Sequence, residues 1–437
     1  MNPVFRKISV IGLGYIGLPT AAVIASQKIK VVGVDINPDT VLKINAGEIP
    51  IVEPDLDHLV QGVVNAGYLY ATHFVEPAEV FLITVPTPFK NNYEPDLSYV
   101  RAAVQSIAPV LKKGDLVILE STSPVGTTEQ VSEQLASLRA DLIFPHQNVE
   151  NPEVNIAYCP ERVMPGKILR ELVENDRIIG GMTPLCASKA KALYQLFVKG
   201  NCLTTNAKTA EMTKLTENAF RDVNIAFANE LSMICERLTI DVWELIRLAN
   251  HHPRVNILQP GPGVGGHCIA VDPRFIVHAA PKESKLIRAA REVNDEKPKF
   301  IVEKIKAVAE ALSTPVIACF GLAYKADTDD LRESPAVEII QLLAQRESHY
   351  HFLIVEPNIM KLPSGFLSDE RFKLVSIEEA LKSANMIVLL VNHKEFHVLK
   401  EVKFLDHQFF INFVTETKIM ENTSIQFQSN EHAACLA

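Results

Sequence analysis

The sequence predicts an α/β protein in which two doubly wound, Rossmann-like α/β domains are joined by a central helical domain. Three observations lead there. An apolar, β-branched run enters a G-x-G-x-x-G turn at residues 12–17, and a second short strand, "KVVGVDIN", follows it. From residue 205 a three- and four-residue periodicity replaces the strand pattern, in "NAKTAEMTKLTENAFRDVNIAFANELSMICERL". Near residue 313 strand, glycine turn and helix begin again in "STPVIACFGLAYKADTDDLRESPAVEIIQLLAQ", followed by the strands "HFLIVEPN" and "ANMIVLLVNH". The domain boundaries that follow are 1–200, 201–310 and 311–437, in keeping with about three domains for 437 residues.

In the first element, residues 8–27 read "ISVIGLGYIGLPTAAVIASQ", carry no charge and follow Arg6 and Lys7, a pattern that a signal peptide or short membrane span also shows. Gly12, Gly14 and Gly17, with Tyr15 and Ile16 between them, fit a strand, a tight turn and a helix start better. Asp35 ends the next strand, eighteen residues after Gly17. An acid there accepts hydrogen bonds from adenosine ribose hydroxyls and repels a 2′-phosphate, so the cofactor expected is NAD.

The alternation continues through "VFLITVPTP" (80–88) and "DLVILESTSPVGTT" (115–128), each a buried parallel strand running into a Thr, Ser, Pro and Gly loop. Thr84, Thr87, Thr122 and Thr128 are candidates for the nicotinamide end, because ligands bind at the carboxyl ends of such strands. Ordinary turn or helix-cap threonines would look the same.

In the helical region, Met212, Leu215, Ala219, Val223, Ala226 and Phe227 form an apolar stripe expected to be buried. Lys214, Asn218 and Arg221 share another face, which is either solvated or a paired cation and amide. Downstream, "GPGVGGHCIAVDP" surrounds Cys268 with glycines and places Asp272 four residues later. A lone cysteine is commonly a small buried hydrophobe, but glycines beside it suit a reactive thiol that a ligand must approach.

Charge and cysteine usage exclude some classes. The chain has 43 basic and 52 acidic residues, net charge -9, with no Lys/Arg-rich run, which argues against a nucleic-acid partner. Seven cysteines without paired C-x-x-C spacing suggest reduced thiols and a cytoplasmic setting, and the thirteen histidines form no metal-ligand motif, so no metal is expected. The tail "HAACLA" puts Cys435 one place short of a prenylation box, so neither a lipid anchor nor a membrane partner is expected.

Eight motifs in order resemble the UDP-glucose/GDP-mannose (UDP-sugar) dehydrogenase family: "VIGLGYIGLPTA", "VPTP", "ESTSPVGTT", "YCPERV", "AEMTKLTENAFRDVNIAFANE", "HPRVN", "GPGVGGHCIAVDP" and "FGLAYKADTDDLRESPA". The similarity spans residues 6 to 400, and "EIPIVEPDL" with the "GHCIAVDP" loop is most similar to the bacterial subgroup of UDP-N-acetyl-D-mannosamine 6-dehydrogenases. The resemblance implies oxidation of a sugar C6 alcohol to a carboxylate in two hydride transfers, using two NAD, with the product feeding a surface polysaccharide. It makes Cys268 the nucleophile that turns the intermediate aldehyde into a thiohemiacetal and then a thioester, its glycine-lined loop letting the flat sugar and nicotinamide approach the sulfur. Lys214 and Asn218 are implied to face the C6 oxygen, while Glu161, Asp272 and Thr122 organise water and proton transfers. On local sequence alone, an ion pair with Arg162 is the lesser alternative for Glu161.

By the same resemblance, Arg162, Val163, Lys214, Asn218, Arg221, His252, Arg254 and Gly265 contact the UDP-sugar, with Arg254 reaching across a homodimer or a higher assembly of dimers. Lys325 and Arg332 meet the sugar nucleotide and NAD from the last domain. The family's terminal "VVD" strand is replaced by "FFINFVTETKIMENTS", which lacks the acid, and "IQFQSNEHAACLA" reads as a weakly ordered tail. The same chemistry on UDP-N-acetylglucosamine or another UDP-hexose stays open. A single-step β-hydroxyacid-type dehydrogenase would need neither Cys268 nor residues 313–400, and a non-enzymatic NAD sensor would need no catalytic residues.

Overall fold

The computed structural model describes residues 5–90, 94–405 and 407–415. The tail beyond residue 415, with Cys435, lies outside the described residues. The chain forms two compact units: Met1–Phe220 with Val271–Lys285, and Arg221–Ala270 with Leu286–Ala437. The helix Ala207–Arg237 belongs in part to each.

The first unit is built on eight strands: β1 (Lys7–Ile11), β2 (Lys30–Val34), β3 (Leu69–Thr72), β4 (Val80–Ile83), β5 (Leu116–Leu119), β6 (Asn155–Tyr158), β7 (Arg177–Gly181) and β8 (Cys202–Asn206). Their order is β3-β2-β1-β4-β5-β6-β7-β8, and all neighbours run parallel except β6 and β7. β4 and β5 are buried at every position because helices cover both faces, which explains near-continuous runs such as "VFLI" and "LVIL". Register aligns Ile11 with Val34 and Ile83, Ile83 with Leu119, and Leu119 with Tyr158. The glycine turn, Asp35 and the loops after β4, β5 and β6 therefore leave the sheet at one edge, where the order reverses between β1 and β4.

The second unit contains β9 (Val316–Phe320), β10 (His351–Val355), β11 (Phe372–Leu374), β12 (Met386–Leu389) and β13 (Phe409–Asn412) in the all-parallel order β11-β10-β9-β12-β13. The altered terminal sequence still forms a strand, and Asn412 closes the turn after it by accepting from Val414 N at 3.0 Å. Two α/β sheets, one all-parallel and one parallel but for a single pair, and a long-helix region match the predicted fold class.

The long helix inverts the usual arrangement. Leu215, Ala219 and Ala226 are buried as expected, but Met212 and Phe227 are exposed. Glu211, Lys214, Asn218, Asp222 and Asn229 are buried instead, at spacings that share one side of the helix. Of the trio Lys214, Asn218 and Arg221, only Arg221 is exposed. Polar groups tolerate burial when each finds a partner. In the second unit, Asp222 accepts from Arg291 Nη1 at 2.5 Å and Asn294 Nδ2 at 2.8 Å, and Asn229 Oδ1 accepts from Gly261 N at 2.9 Å.

Glu356, after β10, accepts from Leu322 N at 2.7 Å and Ala323 N at 3.0 Å and lies 3.0 Å from His393 Nε2. Asp327, His393 and Glu395 hold potential metal-ligand atoms within 4.8 Å of one another, but His393 Nδ1 already accepts from Asp327 N at 2.9 Å. Burial pushes the Glu356 carboxyl up, yet the His393 and backbone hydrogen bonds outweigh it and bring it to about 2 from 4.5. A depressed folded-state pKa stabilises above 4.5 and loses that contribution as pH falls towards 2, an effect of about 3 kcal/mol. Denaturant unfolding at pH 7 and pH 3 is expected to show a loss of stability in this protein that Glu356→Gln reduces by about 2 kcal/mol, since pH 3 still lies above the folded-state value; an identical loss in both would count against the assignment.

Candidate active site

The glycine turn is shaped by contacts that allow only glycine at two positions. Gly12 has φ +96° and lies against the Thr84 backbone, and a Cβ on Gly17 would fall 1.8 Å from the Gly12 carbonyl oxygen. Gly14 differs: nothing stands within 4 Å of where its Cβ would be. Ile16 begins the helix Gly17–Ser26 without a side-chain cap; Leu18 N and Thr20 N donate to the Gly14 and Ile16 carbonyls and Pro19 has no N–H, so an anion at this end would be met at Gly17. Tyr15 is exposed beside it. Asp35 accepts from Leu13 N at 2.8 Å through one oxygen and from Asn37 N at 2.9 Å through the other, which fixes the carboxylate at the end of β2. An open Gly14, an uncapped helix start and a fixed acid fit a dinucleotide, with Asp35 holding a ribose and the helix start a pyrophosphate.

The threonines divide by partner. Thr84 Oγ1 donates to the Ile11 and Gly12 carbonyls at 2.9 and 2.7 Å, so its hydroxyl anchors the turn. Thr87 Oγ1 donates to the Thr122 carbonyl, tying the loops after β4 and β5 together. Thr128 is buried, and its N and Oγ1 donate to Glu211 Oε1 at 2.8 and 2.6 Å, with Gly126 N on Oε2 at 2.6 Å. Glu211 thus caps the helix Thr127–Leu138 from the long helix. Sequence reasoning missed it, although it lies three residues before Lys214 in the same helical pattern.

Further along that helix, Asn218 Nδ2 donates to Asp272 Oδ2 at 2.5 Å, and Lys214, Asn218 and Asp272 are all buried. Burial pushes the Asp272 carboxyl up to about 6, while the Lys214 charge and the Asn218 hydrogen bond pull it back. A carboxyl poised near neutrality beside a lysine and an oriented amide can hold or release a proton during a reaction.

The segment after β6 is gripped by the start of β7. Glu161 pairs with Arg177 rather than Arg162: Arg177 Nη1 lies 2.5 Å from Glu161 Oε2, with both side chains buried. Glu161 Oε1 accepts from Arg162 N at 2.6 Å, and the Arg162 guanidinium pairs with Glu217 at 2.9 Å. Val163 is half-buried against the core of the sheet. Behind Arg177, the Tyr194 hydroxyl donates to Glu120, whose carboxyl is raised to about 7 by burial, with Arg177 acting against the rise.

In the second unit, Cys268 is exposed, whereas Cys159, Cys186, Cys202, Cys235 and Cys319 are buried. The glycines before it were expected to admit ligand; three of them are instead closely faced by protein. A Cβ on Gly265 would lie 2.3 Å from the Glu333 carbonyl oxygen, one on Gly266 2.7 Å from the Tyr324 ring, and one on Gly263 3.1 Å from Pro335. Only Gly261 of this loop has open space at its Cβ position. Tyr324 is a site neighbour the sequence did not single out, and burial, with Asp330 and Cys268 nearby, pushes its hydroxyl up. Lys325 Nζ lies 5.6 Å from the Tyr324 ring centroid, and Arg332 pairs with Asp330 at 2.7 Å. Arg221, His252 and Arg254 are exposed in this unit, with Arg254 N donating to His252 Nδ1 at 3.3 Å.

Sequence models of the UDP-glucose/GDP-mannose dehydrogenase family match three stretches: its NAD binding domain over residues 6–198, its central domain over 208–296 and its UDP binding domain over 318–416. A UDP-N-acetyl-D-mannosamine dehydrogenase of Campylobacter jejuni is 62% identical over 393 residues, 90% of this chain and 96% of that protein. An NDP-N-acetyl-D-galactosaminuronic acid dehydrogenase of Ralstonia nicotianae is also 62% identical, over 395 residues, 90% of this chain and 92% of that one. Among solved structures, the UDP-D-ManNAc dehydrogenase of Pyrococcus horikoshii superposes with a TM-score of 0.83 at 38% identity, covering 97% of this chain and 98% of that one.

Proposed function

Since the chain belongs to the UDP-glucose/GDP-mannose dehydrogenase family and uses NAD, we propose that it oxidises UDP-N-acetyl-D-mannosamine at C6 to UDP-N-acetyl-D-mannosaminuronate through a cysteine-bound intermediate. The observation that carries the mechanism is the exposure of Cys268 where the five other described cysteines are buried. When bound, NAD supplies the hydride acceptor for each of two oxidations. Everything else falls to this chain's side chains.

Lys214 and Asn218 are assigned to the C6 oxygen, the ammonium and amide stabilising negative charge as the alcohol passes its proton to Asp272, which also holds the amide in place. The Cys268 thiolate then adds to the aldehyde carbon, the carbonyl electron pair moves onto oxygen, and that oxygen takes up the proton held by Asp272 to give a thiohemiacetal that again carries a C–H bond to oxidise. The second oxidation leaves a thioester. Water held by Glu161 and the Thr122 loop attacks its carbonyl carbon; a proton passes to Glu161, and the C–S electron pair returns to Cys268 as the tetrahedral carbon collapses to the carboxylic acid. The acid ionises and the proton on Glu161 leaves to solvent.

Arg162, Val163, Arg221, His252, Arg254, Gly265 and Lys325 are assigned to the sugar nucleotide, and Arg332 to NAD. The same reading divides the chain at 1–200, 201–310 and 311–437 and takes it to be cytoplasmic, on its cysteine usage, with a product destined for a surface polysaccharide. It takes the chain to be a homodimer, for which the exposed Met212, Phe220 and Phe227 on one helix are the support.

A second substrate reading has a specific basis, since the Ralstonia relative named for N-acetyl-D-galactosaminuronic acid is equally identical. Initial NADH rates with UDP-N-acetylmannosamine, UDP-N-acetylgalactosamine, UDP-N-acetylglucosamine and UDP-glucose decide between them. We expect kcat/KM for UDP-N-acetylmannosamine to exceed the others by about tenfold or more. A higher value for the galacto sugar would transfer the assignment to it.

A further inference from the structure

We infer that the segment Asn175–Arg177 is a positioning clamp for the reacting segment Glu161–Arg162, with Arg177 as the residue that orients the Glu161 carboxylate. The inference rests on the reading of Glu161 as the group that handles the hydrolytic water. Three successive residues make the clamp. Asn175 Nδ2 donates to the Arg162 carbonyl at 3.0 Å, the Asp176 carbonyl accepts from Arg162 Nη2, and Arg177 Nη1 meets Glu161 Oε2.

The fold explains why these residues meet. β6 and β7 are the one antiparallel pair in the first sheet, with Ala157 opposite Gly181 and Tyr158 opposite Gly180. Continuing that register past the end of β6 sets position 161 opposite 177. The start of β7 thereby faces the first residues leaving β6, which a parallel neighbour would not allow. Asp176 Oδ1 accepts from Asn201 N at 2.6 Å, fixing the clamp to the strand beyond.

Glu161 is the carboxylate left for Arg177 to serve. The other nearby acid, Glu120, is engaged by the Tyr194 hydroxyl, and the Arg177 guanidinium lies 5.4 Å from the Tyr194 ring centroid. Arg177 Nη2 donates to the Leu172 carbonyl at 3.2 Å, so the guanidinium is held from its far side. With Arg162 N on one Glu161 oxygen and Arg177 on the other, the carboxylate plane is fixed, and each oxygen keeps a lone pair for a water. A planar fork fixes such geometry better than a flexible ammonium.

The two arms of the clamp act on different steps. Loss of Arg177 frees the Glu161 carboxylate and slows thioester hydrolysis, while loss of the Asn175 amide loosens Arg162 and weakens sugar-nucleotide binding. Pre-steady-state NADH formation with Glu161→Gln, Arg177→Met, Arg177→Lys and Asn175→Ala separates them. If hydrolysis limits, a burst of two NADH per active site precedes a slow steady rate.

We expect that burst for Glu161→Gln and for Arg177→Met, with the Arg177→Met steady rate reduced by about tenfold or more and partly restored in Arg177→Lys. Asn175→Ala is expected to raise KM for the sugar nucleotide several-fold at nearly unchanged kcat. Normal turnover of Arg177→Met beside a slow, bursting Glu161→Gln overturns the inference alone. Normal hydrolysis by Glu161→Gln overturns the reading of Glu161 and the inference with it. If Arg177→Met fails to fold, an unchanged KM in Asn175→Ala overturns the clamp.

Discussion

Replacing Cys268 by serine is expected to reduce steady-state uronate formation by at least about a thousandfold, because a hydroxyl is a poor nucleophile without its own base and an ester is harder to hydrolyse than a thioester. Among the described cysteines, burial pushes the Cys319 thiol up to about 12 and the Cys159 thiol up as well, so neither presents a thiolate at neutral pH. Steady-state NADH assays combined with intact-mass measurement after mixing with substrate and NAD check this. Turnover near that of the unsubstituted protein would eliminate the covalent route.

The second large effect belongs to Lys214. Lys214→Met removes the cation assigned to the C6 oxygen and is expected to lower kcat by about 10² to 10⁴. It also removes a charge that holds the Asp272 carboxyl down, so the Asp272 pKa should rise from about 6. If Asp272 must be ionised, the acidic limb of the pH–rate profile moves to higher pH in the variant. A smaller kcat loss with an unmoved acidic limb would place Lys214 outside the chemistry and leave it a structural lysine.

Much of the first sheet was legible because its signals are local. Gly12, Gly14, Gly17 and Asp35 lie within one strand–turn–helix–strand unit, and spacing alone places them. The second sheet was legible for the same reason, and its Glu356 mirrors Asp35 in accepting a backbone N–H from the turn after the first strand. The buried face of the long helix was legible only in part, at Leu215, Ala219 and Ala226. Apolar periodicity put Met212 and Phe227 inside, whereas Lys214 and Asn218 occupy the inside because partners distant in sequence, such as Asp272, satisfy them.

Glu211, Arg177 and Tyr324 escaped notice for a related reason. Each works through a contact to a separate part of the chain: Glu211 to Thr128, Arg177 to Glu161, and Tyr324 to Gly266. No local pattern encodes such pairs. The glycines at 263, 265 and 266 illustrate the opposite error, since their presence was clear and their purpose was not. They admit Tyr324, Glu333 and Pro335 to the loop that holds Cys268.

The most direct test of the account is the yield of NADH per molecule of limiting UDP-N-acetylmannosamine, measured with excess NAD and the purified protein. The account predicts two NADH per sugar, with uronate as the sole product and no free aldehyde. One NADH per sugar, with an aldehyde or another two-electron product accumulating, would contradict it.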